Sequence, residues 1–395
     1  MNIENVIMKL QKFSALVLIW LCLPVLLVCQ NYSHVLAEAP KESTACVSGL
    51  CKAGKYSLFS ADLDGSNVSL IKKSTYQDMT HPRVSPDKNW VIYTSYNDLN
   101  PAGCAEPTNG YLNTEIRAVQ LTGAGDKRVV APQIGHFNSN PYWIGATDEF
   151  TYLSGPVTAL KFYRTTVDAS INIVKGPTEI PVVKTIVPMD PQAHGGTNKI
   201  VFPGLYNPRG GYVKSIFMMN LSDSQNLVGL SIGGDRGGKP IMCANAGCEN
   251  IMENDPKISP DGKKVAFMRQ APKSGKKGFG WHIFVVDVAK PLKEVDISYA
   301  ALGSDVLKND VLPEWVDNDT LVFSTIEIVS VKNFNKNVYT MKSNGSHRTK
   351  ISLPDGFHYS DVFPFLDQYG KQRLIISAEK IGASCNKDDQ RPENN

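Results

Sequence analysis

Six polar residues stand at related places in six related segments. His81, Asn140, Asp190 and Asp255 each directly precede a proline, at Pro82, Pro141, Pro191 and Pro256. Asp310 and Asp361 lie three residues ahead of Pro313 and Pro364. Gathered at the mouth of a channel, such side chains would form a ring of hard oxygen ligands. That ring suits a divalent cation, a water cluster or a basic peptide. The competing reading is local, because Asp and Asn ahead of a strand hold loop amides.

Other reactive residue types are present without the spacing that chemistry needs. Gly229-Leu-Ser-Ile-Gly233 matches the Gly-x-Ser-x-Gly pattern. A nucleophile elbow needs a strand-to-helix turn, whereas this stretch falls in an outer strand. Ser231 is therefore not assigned as a nucleophile. The seven histidines show no pair at ligand spacing on one element. His282 lies mid-strand in WHIFVVDV, where a packed or edge role is expected. No paired carboxylates announce acid–base work, and no catalytic residue is assigned.

The elements that would position the six polar residues are legible as a repeat. MTHPRVSPDKNWVIYTS (79–95) and NDPKISPDGKKVAFMRQ (254–270) share a proline, a Ser-Pro-Asp turn and an alternating apolar strand. Weaker copies follow Pro141, Pro191, Pro313 and Pro364. The six anchors are spaced by about 50 to 65 residues, a period that signals solenoids or propellers. Two further strands separate successive copies. Asp64-Gly65, Asp261-Gly262 and Asn344-Gly345 sit where tight turns need positive φ. Helical periodicity is absent after the leader. Four antiparallel strands repeated six times predict an all-β, six-bladed β-propeller over 55–385. The chain enters on a third and fourth strand, YSLFSADLDG and NVSLIKKS, and leaves on a first and second. N-terminal outer strands are thus expected to pair with C-terminal inner strands and close the ring.

Residues 1–37 form a signal peptide in this reading. Lys9 and Lys12 precede an apolar run from Phe13 to Cys29, and Val35-Leu36-Ala37 offers a cleavage site. A retained anchor and lipidation at Cys29 are the alternatives. The net charge of +3 includes no basic run, which argues against nucleic acid as a partner. No membrane association is expected after cleavage. Residues 38–54 carry a cysteine pair, and 386–395 read as a disordered tail. Six cysteines remain: Cys46, Cys51, Cys104, Cys243, Cys248 and Cys385. In an exported protein they suggest disulfides. Cys46 with Cys51 and Cys243 with Cys248 share one spacing and could close local loops, but about 15 connectivities are possible. Closer pairs and spaced histidines, which zinc would want, are missing.

The strongest departure from the repeat is Gly233 to Asp255, a Gly-rich connection between blades. Its length and its cysteine pair suggest a partner-facing arm carrying Cys243, Cys248, Glu249, Met252 and Glu253. An idle insertion is the alternative. Tyr96 to Tyr111, with Cys104, is a second long loop.

The Pro-x-x-Ser-Pro-Asp-Gly-Lys-Lys pattern at 256–264, followed by a strand, resembles the TolB-like (PD40-type) propeller repeat. The likeness covers roughly residues 55 to 380 and implies fold more than function. TolB proteins also carry an α/β domain ahead of the propeller, for which the expected mature chain leaves no room. In size, export, absence of haem motifs and possession of an inter-blade arm, the chain is also similar to the hydrazine synthase β-subunit family of anammox bacteria. That resemblance implies a cofactor-free subunit, haem in its partner subunits, and a role in passage of hydroxylamine between catalytic subunits. It would place the protein in the anammoxosome lumen rather than a periplasm. The alternatives are a free-standing periplasmic module that binds a peptide or lipoprotein, and a propeller enzyme with a metal in its channel.

Overall fold

The computed structural model describes residues 56–381 apart from 75–76, 98–113, 134, 157–158, 184–185, 207–212, 232–252, 273–278, 303–307 and 331–332. Their strands form six antiparallel sheets, the blades of a β-propeller, as the repeat predicts. The inner strands of blades 1, 2, 4, 5 and 6 are Gln77–Val84, Phe137–Trp143, Glu253–Ile258, Lys308–Trp315 and Phe357–Leu366. In blade 3 the inner strand is split into Val187–Pro188 and Gln192–His194, both paired to Lys199–Tyr206. Among the described residues, a short α-helix, Ile297–Leu302, and a 3-10 turn, Gly195–Thr197, interrupt the strands.

Blade 6 closes the ring from both chain ends. Phe357–Leu366 and Gln372–Lys380 pair with each other, then with Tyr56–Asp62 and Ser69–Lys72. The seam ladder runs without a break from Tyr56 opposite Glu379 to Asp62 opposite Arg373. Lys371 and Arg373 clamp Asp62 at 2.5 and 3.1 Å. The hydrogen bond from Lys371, then that from Asn67, lowers the Asp62 carboxyl to about 2.

Packing explains why the second strands read as unbroken apolar runs. Both of their faces are buried, one against each neighbouring blade. Val91 joins the cluster with Leu58, Tyr93, Val119 and Ile375 between blades 6 and 1. The next residue, Ile92, joins Ile116, Trp143 and Phe150 between blades 1 and 2. Further clusters fill the remaining four seams.

The inner strands of blades 1, 2, 4 and 5 carry an irregularity at the anchoring proline. The ladder skips between Thr80 and Arg83, Ser139 and Tyr142, Asn254 and Lys257, and Val311 and Glu314. These are β-bulges, in which two residues oppose one. Blade 6 differs from the sequence reading. Its bulge lies between Tyr359 and Val362, so Asp361 takes the place of the proline. Pro364 sits further on, in regular pairing with Leu374.

Closure predicts a specific sensitivity. Leu58 is fully buried at the junction of both chain ends. Leu58→Ala should cost about 2–5 kcal/mol in urea unfolding, with the spectrum of the folded state unchanged.

Candidate functional site

The bulges aim side chains into the central channel. The first bulged residue takes positive φ: 51° at His81, 54° at Asn140, 35° at Asp190, 47° at Asp255 and 56° at Leu312. Asn, Asp and His tolerate this left-handed region better than most residues. The residue types that looked like ligands thus also suit the backbone conformation they adopt.

Five of the six residues expected at the channel mouth do come together, within the channel. Asn140 donates to Asp190 across 2.5 Å. His81 lies 3.9 Å from Asp361. Asp190 feels the charge of Asp255 and, in opposition, those of Lys214, His81 and Lys257. Burial, then repulsion from Asp255, raises the Asp190 carboxyl above its ordinary value.

A second tier was missed by the sequence reading. The residues just after the anchoring prolines are Arg83, Tyr142, Gln192, Lys257 and Glu314. They meet across the axis. Arg83 donates to Glu314 at 2.7 Å, and Lys257 lies 3.6 Å from the same carboxylate. The Tyr142 hydroxyl donates to it at 3.5 Å. Blades 1, 2 and 4 are thereby tied to blade 5. The Arg83 guanidinium also lies over the rings of Tyr142 and Phe363, 4.8 and 5.0 Å from their centroids. A signal existed: a polar residue stands one place after the proline in five copies.

Asp310 requires a correction. It lies inside its blade, away from the channel. Arg348 grips it with two bonds of 2.7 and 2.9 Å, and Ser298 and Thr325 donate to it at 2.8 and 2.9 Å. Glu253, expected on the partner-facing arm, also lies elsewhere. It begins the inner strand of blade 4 and is fully buried. Arg269 donates to it at 2.6 Å, the Ile216 amide at 3.1 Å, and Ser231 donates through its hydroxyl. Burial raises the Glu253 carboxyl and Arg269 opposes the rise.

These two clusters are one motif. Glu253 and Asp310 both stand three residues before the proline. In each, a third-strand amide donates to a serine hydroxyl: Ile216 to Ser231 at 3.0 Å, Ile283 to Ser298 at 2.9 Å. The serine donates to the carboxylate, which an arginine also holds. Ser231 is therefore a tether between blades 3 and 4, and its glycine-flanked pattern is incidental. Cys243, Cys248, Glu249 and Met252 lie outside the described residues, as do Cys46, Cys51, Cys104 and Cys385.

Among the described residues no group of three His, Cys, Asp or Glu side chains has the placement to hold a metal ion. Protein cations stand in the channel instead. On the face that carries the turns between inner and second strands, the channel opens into a funnel of about 240 Å³ above Arg83, Tyr142 and Glu314.

Fold and channel define a six-bladed β-propeller whose axis is closed by ion pairs. No family model and no curated protein matches the chain. Solved structures do. Hydrazine synthase of Kuenenia stuttgartiensis is similar over 84% of this chain and 48% of its own, at 11% identity and a TM-score of 0.51. The chain thus spans about half the length of that relative. The β-propeller domain of the trilobed protease from Pyrococcus furiosus matches over 81% of this chain and 90% of its own, at 11% identity and a TM-score of 0.42. An oligogalacturonate lyase in complex with manganese matches over 79% and 80%, at 11% identity and a TM-score of 0.42. At such identities the likeness is one of fold.

Two variants test these assignments. Asp190 has a raised pKa, so its carboxyl is favoured protonated in the folded state. Its stability contribution is complete below the unfolded pKa and lost as pH rises through the folded value. Asp190→Asn should therefore gain on wild type in denaturant midpoint as pH rises from 4 to 7. Ser231→Ala removes one of the two acceptors of the Ile216 amide and a hydroxyl donor to the buried Glu253 carboxylate, and should cost about 1–3 kcal/mol, measured by urea unfolding.

Proposed function

We propose that the chain is a non-catalytic propeller subunit of an exported multiprotein complex. The observation that carries this reading is the closed axis. Glu314 receives Arg83, Lys257 and Tyr142 from three other blades, so the charged groups of the channel are spent on holding the ring together. A ring braced in this way is a rigid platform for neighbouring proteins. The leader at 1–37 supports export. The shared fold with hydrazine synthase supports membership in a multisubunit redox assembly. In that setting haem belongs to the partner subunits. The propeller assists passage of an intermediate such as hydroxylamine between them, in the anammoxosome lumen or a periplasm. Ser231 and Glu253, the described residues on either side of 232–252, are hydrogen-bonded to each other, and the Gly-rich sequence between them carries the cysteine pair assigned to partner contact.

Native purification followed by mass spectrometry of the intact assembly tests this. Stoichiometric companions with haem absorbance are expected, and a protein purified alone, without companions, overturns the proposal. Deleting 243–248 should weaken association with the companions while leaving the melting temperature unchanged.

A further inference from the structure

The contact between blades 5 and 6 holds titratable groups that neither channel tier uses. His358, in the Phe357–Leu366 strand of blade 6, stacks on Phe334 of the Asn333–Lys342 strand of blade 5. Their ring centroids are 4.9 Å apart and their planes differ by 22°. The His358 Nδ1 is buried and has no hydrogen-bond partner. Two residues on from Phe334, Lys336 is buried, and its ammonium donates to the Tyr56 hydroxyl at 3.1 Å. That ammonium lies 5.6 Å from the Tyr56 ring centroid and 5.8 Å from that of Phe334. A histidine and a lysine thus share one aromatic ring across the contact.

The acids around them have other partners. Glu379 stands opposite both His358 and Tyr56 in the blade 6 ladder, and it hydrogen-bonds the Tyr56 hydroxyl. Asp78 of blade 1 accepts from the Tyr56 amide at 3.2 Å. Asp361, further along the His358 strand, lies 3.9 Å from His81. Burial, then the charge of Lys336, lowers His358 below the ordinary histidine value. Protonation would give Nδ1 a hydrogen with no acceptor and set a second cation beside a buried one.

We propose that this contact is an acid-sensitive latch. Protonation of His358 loosens blade 5 from blade 6, the blade built from both chain ends. The ring is held shut at neutral pH and is weakened at one seam in acid. The latch stands independently of any assembly role.

Histidine ring-proton NMR of the full chain, with urea unfolding between pH 7.5 and 5, tests it. His358→Phe keeps the stack and cannot titrate, so its missing signal assigns His358; His358→Gln serves if that variant does not fold. The His358 signal should titrate below about 6.5, the ordinary histidine value. A group with a lowered folded pKa contributes stability that is complete above the unfolded value and lost as pH falls through the folded one. The unfolding constant of the wild type should therefore rise with acid more steeply than that of the variant, by up to about tenfold per pH unit. Amide hydrogen exchange should quicken in 357–360 and 334–338 before the other blades. A His358 titration at or above about 6.5, equal slopes in wild type and variant, or exchange quickened evenly over the six blades would overturn the latch.

Discussion

Ring closure is the constraint on which the rest of this molecule depends. Six sheets, each apolar on both faces, bury those faces only if the sixth meets the first. The chain meets this demand by building one blade from its two ends. The Tyr56–Asp62 strand joins the two chain ends against Gln372–Lys380, and the Leu58–Ile375 cluster packs that blade against blade 1.

Closure creates a second problem at the axis. Inner strands converge, and a regular ladder would leave little choice about which side chains fill the centre. The bulges change the aim of each strand and place a left-handed residue next to a rigid proline. The tiers then sort by charge. Asp190, Asp255 and Asp361 lie beside His81, Lys214 and Lys257, while Glu314 gathers Arg83, Lys257 and Tyr142. Buried ion pairs add little net stability over apolar packing, but losing one partner is costly. Such a network specifies one arrangement of the six blades.

The seams use a different device. A serine after the outer strand bridges a third-strand amide to a carboxylate of the next blade, and an arginine neutralises that carboxylate while lying against aromatic rings. Arg269 sits 4.3 Å from the Phe284 centroid and Arg348 4.3 Å from that of Tyr339. Recurrence of the device in two adjacent seams shows why Ser231, Glu253 and Asp310 are polar in otherwise apolar surroundings.

By itself the sequence determined the strand period, the sixfold repeat, the half-blades at each end and the residue types at the bulges. Those are local properties, written in alternation, turn residues and a recurring proline. It grouped His81, Asn140, Asp190 and Asp255 by their shared offset from the proline, and Asp361 by a different offset; in the structure Asn140 meets Asp190 and His81 lies near Asp361. It misjudged Asp310 and Glu253, which stand two residues before the bulge and meet a serine of the preceding blade and an arginine, because counting along the chain does not show where the backbone turns. It overlooked Arg83, Lys257 and Glu314, whose partners lie in other blades. Only the tertiary structure decided which charges meet, since their pairing across the axis exists only after the two chain ends have joined.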